Sequence, residues 1–252
     1  LRTLLKRTGD ILDAAYPIDL RSLRAAPLPA ESAGYQAHVQ DVARAFGFPS
    51  VHLLASPVLG ATCLPASTSP PSLVFGQSLL ESPDDAGRYC LLVRALKVLQ
   101  GRASTVARTA PIDLWPLMAG LLGLLAPGWT AQGVDARKLA DARNRIQAVM
   151  PKSIEDDLPT LALDVTGLIG NRASQLATAV YEWGNRAALL AVGDPMAALR
   201  AIALTTGGSG PPASGPDRIK WIVRNAEARD LAIFSVSEHY AHARRRLGKA
   251  GG

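Results

Sequence analysis

The chain has 252 residues and a mass of 26.5 kDa, with 48% hydrophobic and 19% charged residues. That is enough to bury one large core or two modest ones, and it excludes a disordered chain or a collagen-like or coiled-coil fibre. Lys and Arg number 27 against 21 Asp and Glu, a formal net charge of +6 that permits acidic partners without demanding them.

The longest apolar stretch, Leu114 to Ala126, contains Pro116 and stops at Pro127. It falls short of the roughly 20 residues that a membrane-crossing helix needs. Leu1 to Lys6 is not followed by the apolar core of a secretory signal. Cys63 and Cys90 sit among apolar neighbours and supply neither a disulfide framework nor a cysteine-rich zinc site. They read as buried free thiols in a reducing compartment, so a soluble cytoplasmic protein is expected.

Few aromatics and abundant Ala and Leu favour helices. Leu1 to Ala15 reads as a helix ended at Tyr16-Pro17, because a residue before proline is pushed out of the α region. A polar, proline-bearing loop follows. Glu31 to Phe46 carries a helical face of Tyr35, Val39, Val42, Ala43 and Phe46, and Gly47 supplies the stop. Val51 to Ala55, Ala61 to Leu64 and Leu73 to Phe75 are β-like runs between turn residues, giving two or three strands of a small sheet.

Ser82-Pro83-Asp84-Asp85 then opens a helix to about Gln100, with Ser82 as its N-cap and Pro83 at the first helical position. Its middle is apolar on nearly every side, which places it inside the protein, and Arg94 and Lys97 interrupt the run. Further helices are expected over 112–126, 134–150, 154–169 and 172–192, with Gly170-Asn171 as a break. Gly193 ends the last of these, and Asp194-Pro195 caps another through Leu204. Thr206 to Gly215 reads as a flexible loop before two final helices, 216–228 and 230–247. The fold class is α+β, predominantly α-helical with one small β-sheet. Residues 1–30 form an N-terminal helix and linker, compatible with the tail of an upstream helical-repeat array, and residues 31–252 a single domain.

Chemistry-bearing motifs are sparse. Thr206-Gly207-Gly208-Ser209-Gly210 lacks the lysine of a phosphate-binding loop and follows a helix, and Gly208-Ser209-Gly210 lacks the strand and spacing of a nucleophile elbow. His239 and His242, three apart beside Glu238, have a metal-chelating spacing. The adjacent Arg244, Arg245, Arg246 and Lys249 would repel a dication and suit a solvated helix end. His52 reads as a packed or edge-exposed strand residue.

The order of elements carries a resemblance. A phrase Leu73-Val74-Phe75-Gly76-Gln77-Ser78-Leu79-Leu80 precedes a buried helix, and Tyr181-Glu182-Trp183-Gly184-Asn185-Arg186-Ala187-Ala188-Leu189-Leu190 precedes Gly193-Asp194-Pro195 and Ala197-Ala198-Leu199. This order resembles the zinc metallopeptidases of the HtpX and CAAX-prenyl-protease type over roughly residues 35–205, which implies a zincin-like helical fold. In that family the buried helix bears His-Glu-x-x-His and the later helix Glu-x-x-x-Asp-Arg. The resemblance lays Arg94 and Val98 on the two zinc-binding histidines, Ala95 on the catalytic glutamate, Tyr181 on the zinc-binding glutamate and Asn185 on the aspartate four residues on.

Glu182 is one position off, rotated about 100° around the helix, and cannot substitute. Arg94-Ala95-Leu96 and Asn185-Arg186-Ala187 are also similar to degenerate domains at the C-terminal end of large myxobacterial helical-repeat proteins of the TPR type. The resemblance therefore implies a bacterial pseudoenzyme: a scaffold or protein-binding module without cofactor or metal, with Glu182 and Arg186 as candidate binding residues and a protein or peptide as partner. Arg94, a charge in an apolar helix, must find a carboxylate, from Asp164, Glu182 or a bound peptide, or pair with Tyr181 and Asn185. The alternatives are a hydrolase assembled from Glu182, His239 and His242, and a nucleic-acid or acidic-partner binder through the basic last helix.

Overall fold

The computed structural model describes residues 1–153, 155–207 and 210–248. In chain order the elements are α1 (Arg2–Ala15), β1 (Ala26–Pro27), α2 (Ala33–Ala45), β2 (His52–Ser56), β3 (Cys63–Ala66), β4 (Ser72–Gly76), α3 (Gln77–Leu80) and α4 (Asp85–Gln100). They continue with α5 (Ser104–Arg108), α6 (Pro111–Leu125), α7 (Ala136–Val149), α8 (Leu158–Ile169) and, after a 3-10 stretch at Gly170–Gln175, α9 (Leu176–Val192). The last four are α10 (Pro195–Thr205), α11 (Gly215–Arg224), α12 (Ala226–Ser235) and α13 (Glu238–Arg246). The class is α+β and mostly helical, with one small sheet. Among the described residues no helix is long and apolar enough to cross a membrane.

The chain forms two compact units, one from residues 1–18 and 100–180, the other from 19–99 and 181–252. In the first, α6 is the interior helix, with ten of its 15 residues buried. Gly120 lets α7 come close, since a Cβ there would lie 3.0 Å from that of Ala142. Helix α1 is tied by Arg7 to Glu155 and Asp157, and by Asp13, which accepts from the Thr105 hydroxyl at 2.5 Å and pairs with Arg108.

The second unit contains the sheet, ordered β1-β2-β4-β3. Strands β2 and β4 run parallel, and the outer pairs are antiparallel. Three strands form between residues 50 and 80 as the sequence predicts, β2 and β4 within a residue of the expected runs and β3 two residues later than Ala61 to Leu64. The additional strand, β1, comes from the segment read as loop; it pairs Ala26 with Ala55 and Pro27 with Leu54. It stays short and at the edge because Pro27 and Pro29 lack the N–H that a longer ladder needs. All five residues of β4 are buried. Leu53 of β2 and Leu73 and Phe75 of β4 share one core with Leu91, Leu92, Leu96 and Leu99 of α4, Val39 and Ala43 of α2, Leu189 of α9, and Leu199 and Ile202 of α10.

Several boundaries differ from the sequence reading, each for a local reason. The cap of α4 is Asp84, not Ser82: its carboxylate accepts the Gly87 N–H at 3.0 Å, and Ser82 accepts the N–H of Asp84 itself. Helix α7 begins after Asp135, which accepts from the Lys138 N–H. The helix expected from Ile154 begins at Leu158, and Ile154 lies outside the described residues. The two helices expected at the C-terminus are three. Asn225 accepts from the Ala228 N–H and Ser237 from the Tyr240 N–H, so each starts a new helix. Gly208 and Ser209 of the glycine-rich loop, and Lys249 of the basic tail, lie outside the described residues.

Candidate functional site

Among the described residues of the second unit, Arg94 is the buried charge. Arg94 sits in the middle of α4 between Val93 and Ala95, both in the apolar core, and its residue exposure is 4%. A guanidinium cannot be neutralised by deprotonation, so burial obliges the fold to supply acceptors. Glu227 does so: Arg94 Nη1 donates to Glu227 Oε2 at 3.2 Å, and Asn185 Nδ2 donates to the same oxygen at 2.7 Å. The guanidinium also lies over the ring of Tyr181, 4.4 Å from its centroid, a cation–π contact strengthened by the absence of water.

Three features of sequence position these groups. Tyr181, Gly184 and Asn185 are spaced to share one face of α9. Gly184 brings that face against α4, because a Cβ there would fall 2.6 Å from Arg94 Cγ and 3.0 Å from the Arg94 carbonyl oxygen. Glu227 stands in the first turn of α12, directly after the Asn225 cap, where the helix dipole favours a carboxylate. Burial pushes the Tyr181 phenol up, with Arg94 opposing and Glu227 adding to the rise, so the ring stays a neutral surface.

The remaining residues singled out from sequence fall elsewhere. Ala95 packs into the apolar core and Val98 is also buried. The carboxylate partner of Arg94 is Glu227 and not Asp164 or Glu182, because the start of α12 brings a carboxylate to the α9 face that carries Asn185. Glu182 is half-buried, and Arg186 is exposed and ion-paired with Asp230, its Nε donating to Asp230 Oδ2 at 2.9 Å while its guanidinium lies over Phe234. Burial and the nearby Asp230 push the Glu182 carboxyl above its usual range, and Arg186 opposes them.

His239, His242 and Glu238 are exposed on α13, and His52 is exposed at the start of β2. Among the described residues no three His, Cys, Asp or Glu side chains come together as metal ligands. Arg244 of the basic tail donates to the Leu190 carbonyl at 3.1 Å, serving the end of α9. Both cysteines are free and buried, and burial holds both thiols above their usual range.

The residue missed from sequence is Glu227. The signal was present as Asn225-Ala226-Glu227, an N-cap with an acid in the first turn, but it fell inside a helix expected to run from 216 to 228.

The zinc ion that the HtpX-type peptidases hold does not fit these residues. The buried Arg94 guanidinium repels a dication, Ala95 and Val98 have no donor atom, and the Asn185 amide presents its N–H to Glu227. Comparison with protein-family models, curated proteins and solved structures returns no match to this chain.

Proposed function

We propose that this chain is a non-catalytic module with a metallopeptidase-like fold, acting as a protein-binding or scaffolding part. The supporting observation is the convergence of Arg94, Tyr181 and Asn185. The resemblance puts Arg94 and Tyr181 on former ligand positions and Asn185 on the aspartate four residues on, with the two helices 87 residues apart in sequence (94 to 181); Arg94 and Asn185 donate to one carboxylate, and Arg94 lies over the Tyr181 ring. The cluster is internally satisfied: the guanidinium has a carboxylate and an aromatic face, and the carboxylate has a guanidinium and an amide. Such a network fixes helix positions and commits the Glu227 oxygen it engages to two donors.

The test has two arms. Purified protein supplied with zinc and unfolded casein is expected to release no peptides. Chelator-sensitive cleavage by the parent chain overturns the non-catalytic reading. The variant Arg94→His, Ala95→Glu, Val98→His, Tyr181→Glu rebuilds the ligand set, and stoichiometric zinc binding absent in the parent is expected. A folded variant without zinc affinity means that these positions do not converge as in the peptidases, and the family reading fails.

A further inference from the structure

The first unit holds a cavity of about 720 Å³ whose lining includes Trp115, Trp129, Thr130, Gln132, Thr166 and Ser174. This volume lies in the range of small-molecule sites, about 300–1,000 Å³. Trp115 projects from α6 and Trp129 from the segment that follows it. The rings meet edge to face with centroids 6.1 Å apart and planes at 76°. Trp115 Nε1 donates to the Gln132 carbonyl at 2.9 Å, which pins the ring and satisfies its one polar atom. What remains for contact is flat aromatic surface.

The second observation is electrical. Among the described residues lining the cavity none carries a charge, and the polar side chains are three hydroxyls and one carboxamide. Thr166 Oγ1 donates to the Leu163 carbonyl at 2.7 Å, which leaves its lone pairs to accept. An anion finds no cation in this lining, and a wholly apolar ligand would strand the hydroxyls. A flat apolar face combined with several neutral donors and acceptors matches a ring that carries both.

We propose that this cavity binds a neutral carbohydrate, a pyranose ring resting its C–H face on an indole while its hydroxyls exchange hydrogen bonds with Thr130, Gln132, Thr166 and Ser174. The inference rests on residues of the first unit alone and is independent of the Arg94 cluster. Maltotriose, cellotriose and chitotriose are titrated into ¹⁵N-labelled full-length chain, and the four indole N–H signals are followed, with Trp183 and Trp221 as internal controls.

At least one sugar is expected to shift the Trp115 and Trp129 signals saturably. That affinity is expected to fall tenfold or more (~1.4 kcal/mol) in Trp129→Ala, to survive in part in Trp129→Phe, and to weaken in Thr166→Val. Trp129→Phe and Thr166→Val decide the matter if Trp129→Ala does not fold. Silence of both indoles toward all three sugars at about 10 mM overturns the proposal. So does saturation by tetramethylammonium in place of any sugar, or sugar binding that is undiminished in the variants.

Discussion

At the residue scale the buried guanidinium governs the second unit. Arg94→Ala removes one partner of a desolvated pair and leaves Glu227 and Asn185 facing a void, so a loss of about 2–4 kcal/mol is expected in urea unfolding. Glu182 yields a prediction of pH dependence. Its carboxyl is raised in the fold by burial and by Asp230, so the folded state holds the proton more tightly than the unfolded chain. The stability it contributes is therefore complete below its ordinary value of 4.5 and is lost as pH rises through the higher folded value. Glu182→Gln is expected to flatten that decline: the difference in unfolding midpoint between variant and parent should grow from pH 4 to pH 7. Asp157, held below its usual range by Arg7, carries the opposite sign, its contribution fading as pH falls through 3.8 and below. Arg94 was legible as a charge in an otherwise apolar helix, and Tyr181 and Asn185 were named beside it only through the resemblance. Glu227 was not, because its position depends on where α12 begins.

At the element scale, helix crossings depend on single small residues. Gly184→Ala raises intrinsic helix propensity by about 1 kcal/mol, yet its Cβ would meet both the Arg94 stem and its backbone oxygen. A net loss of about 1–3 kcal/mol is expected, as for other overpacked cores, and thermal unfolding of G184A is the measurement. Asn225→Ala removes the α12 cap and should cost about 1 kcal/mol. If the cap also aims Glu227, the Arg94→Ala loss measured in that background will be smaller than in the parent. Long apolar helices bounded by capping and proline signals, such as α4 and α6, were readable within a residue or two. The short α3 and α5 were not, since 4 and 5 residues carry too few turns for a periodic signal. The edge strand β1 was hidden for a similar reason, being two residues beside prolines.

At the scale of the whole molecule, the interleaving of segments 1–18 and 100–180 with 19–99 and 181–252 escapes any reading that moves along the chain, because it depends on which apolar faces meet. Composition allowed one core or two and could not choose. Amide exchange should display the graded result: β4 and α4 in the second unit and α6 in the first are expected to exchange last, whereas α11 and α13, which bury no residue, exchange first. Fast exchange in β4 would refute this ordering. The Arg94–Glu227 pair also shapes how the sequence can drift. Loss of Glu227 alone strands a buried guanidinium, and loss of Arg94 alone leaves a partly buried carboxylate without its cation, while Arg94→Met with Glu227→Gln together should be milder than either single change. Descent away from this state thus runs through a less stable intermediate. Such epistasis couples the two positions, and it sets a barrier before any variant that places histidine at position 94.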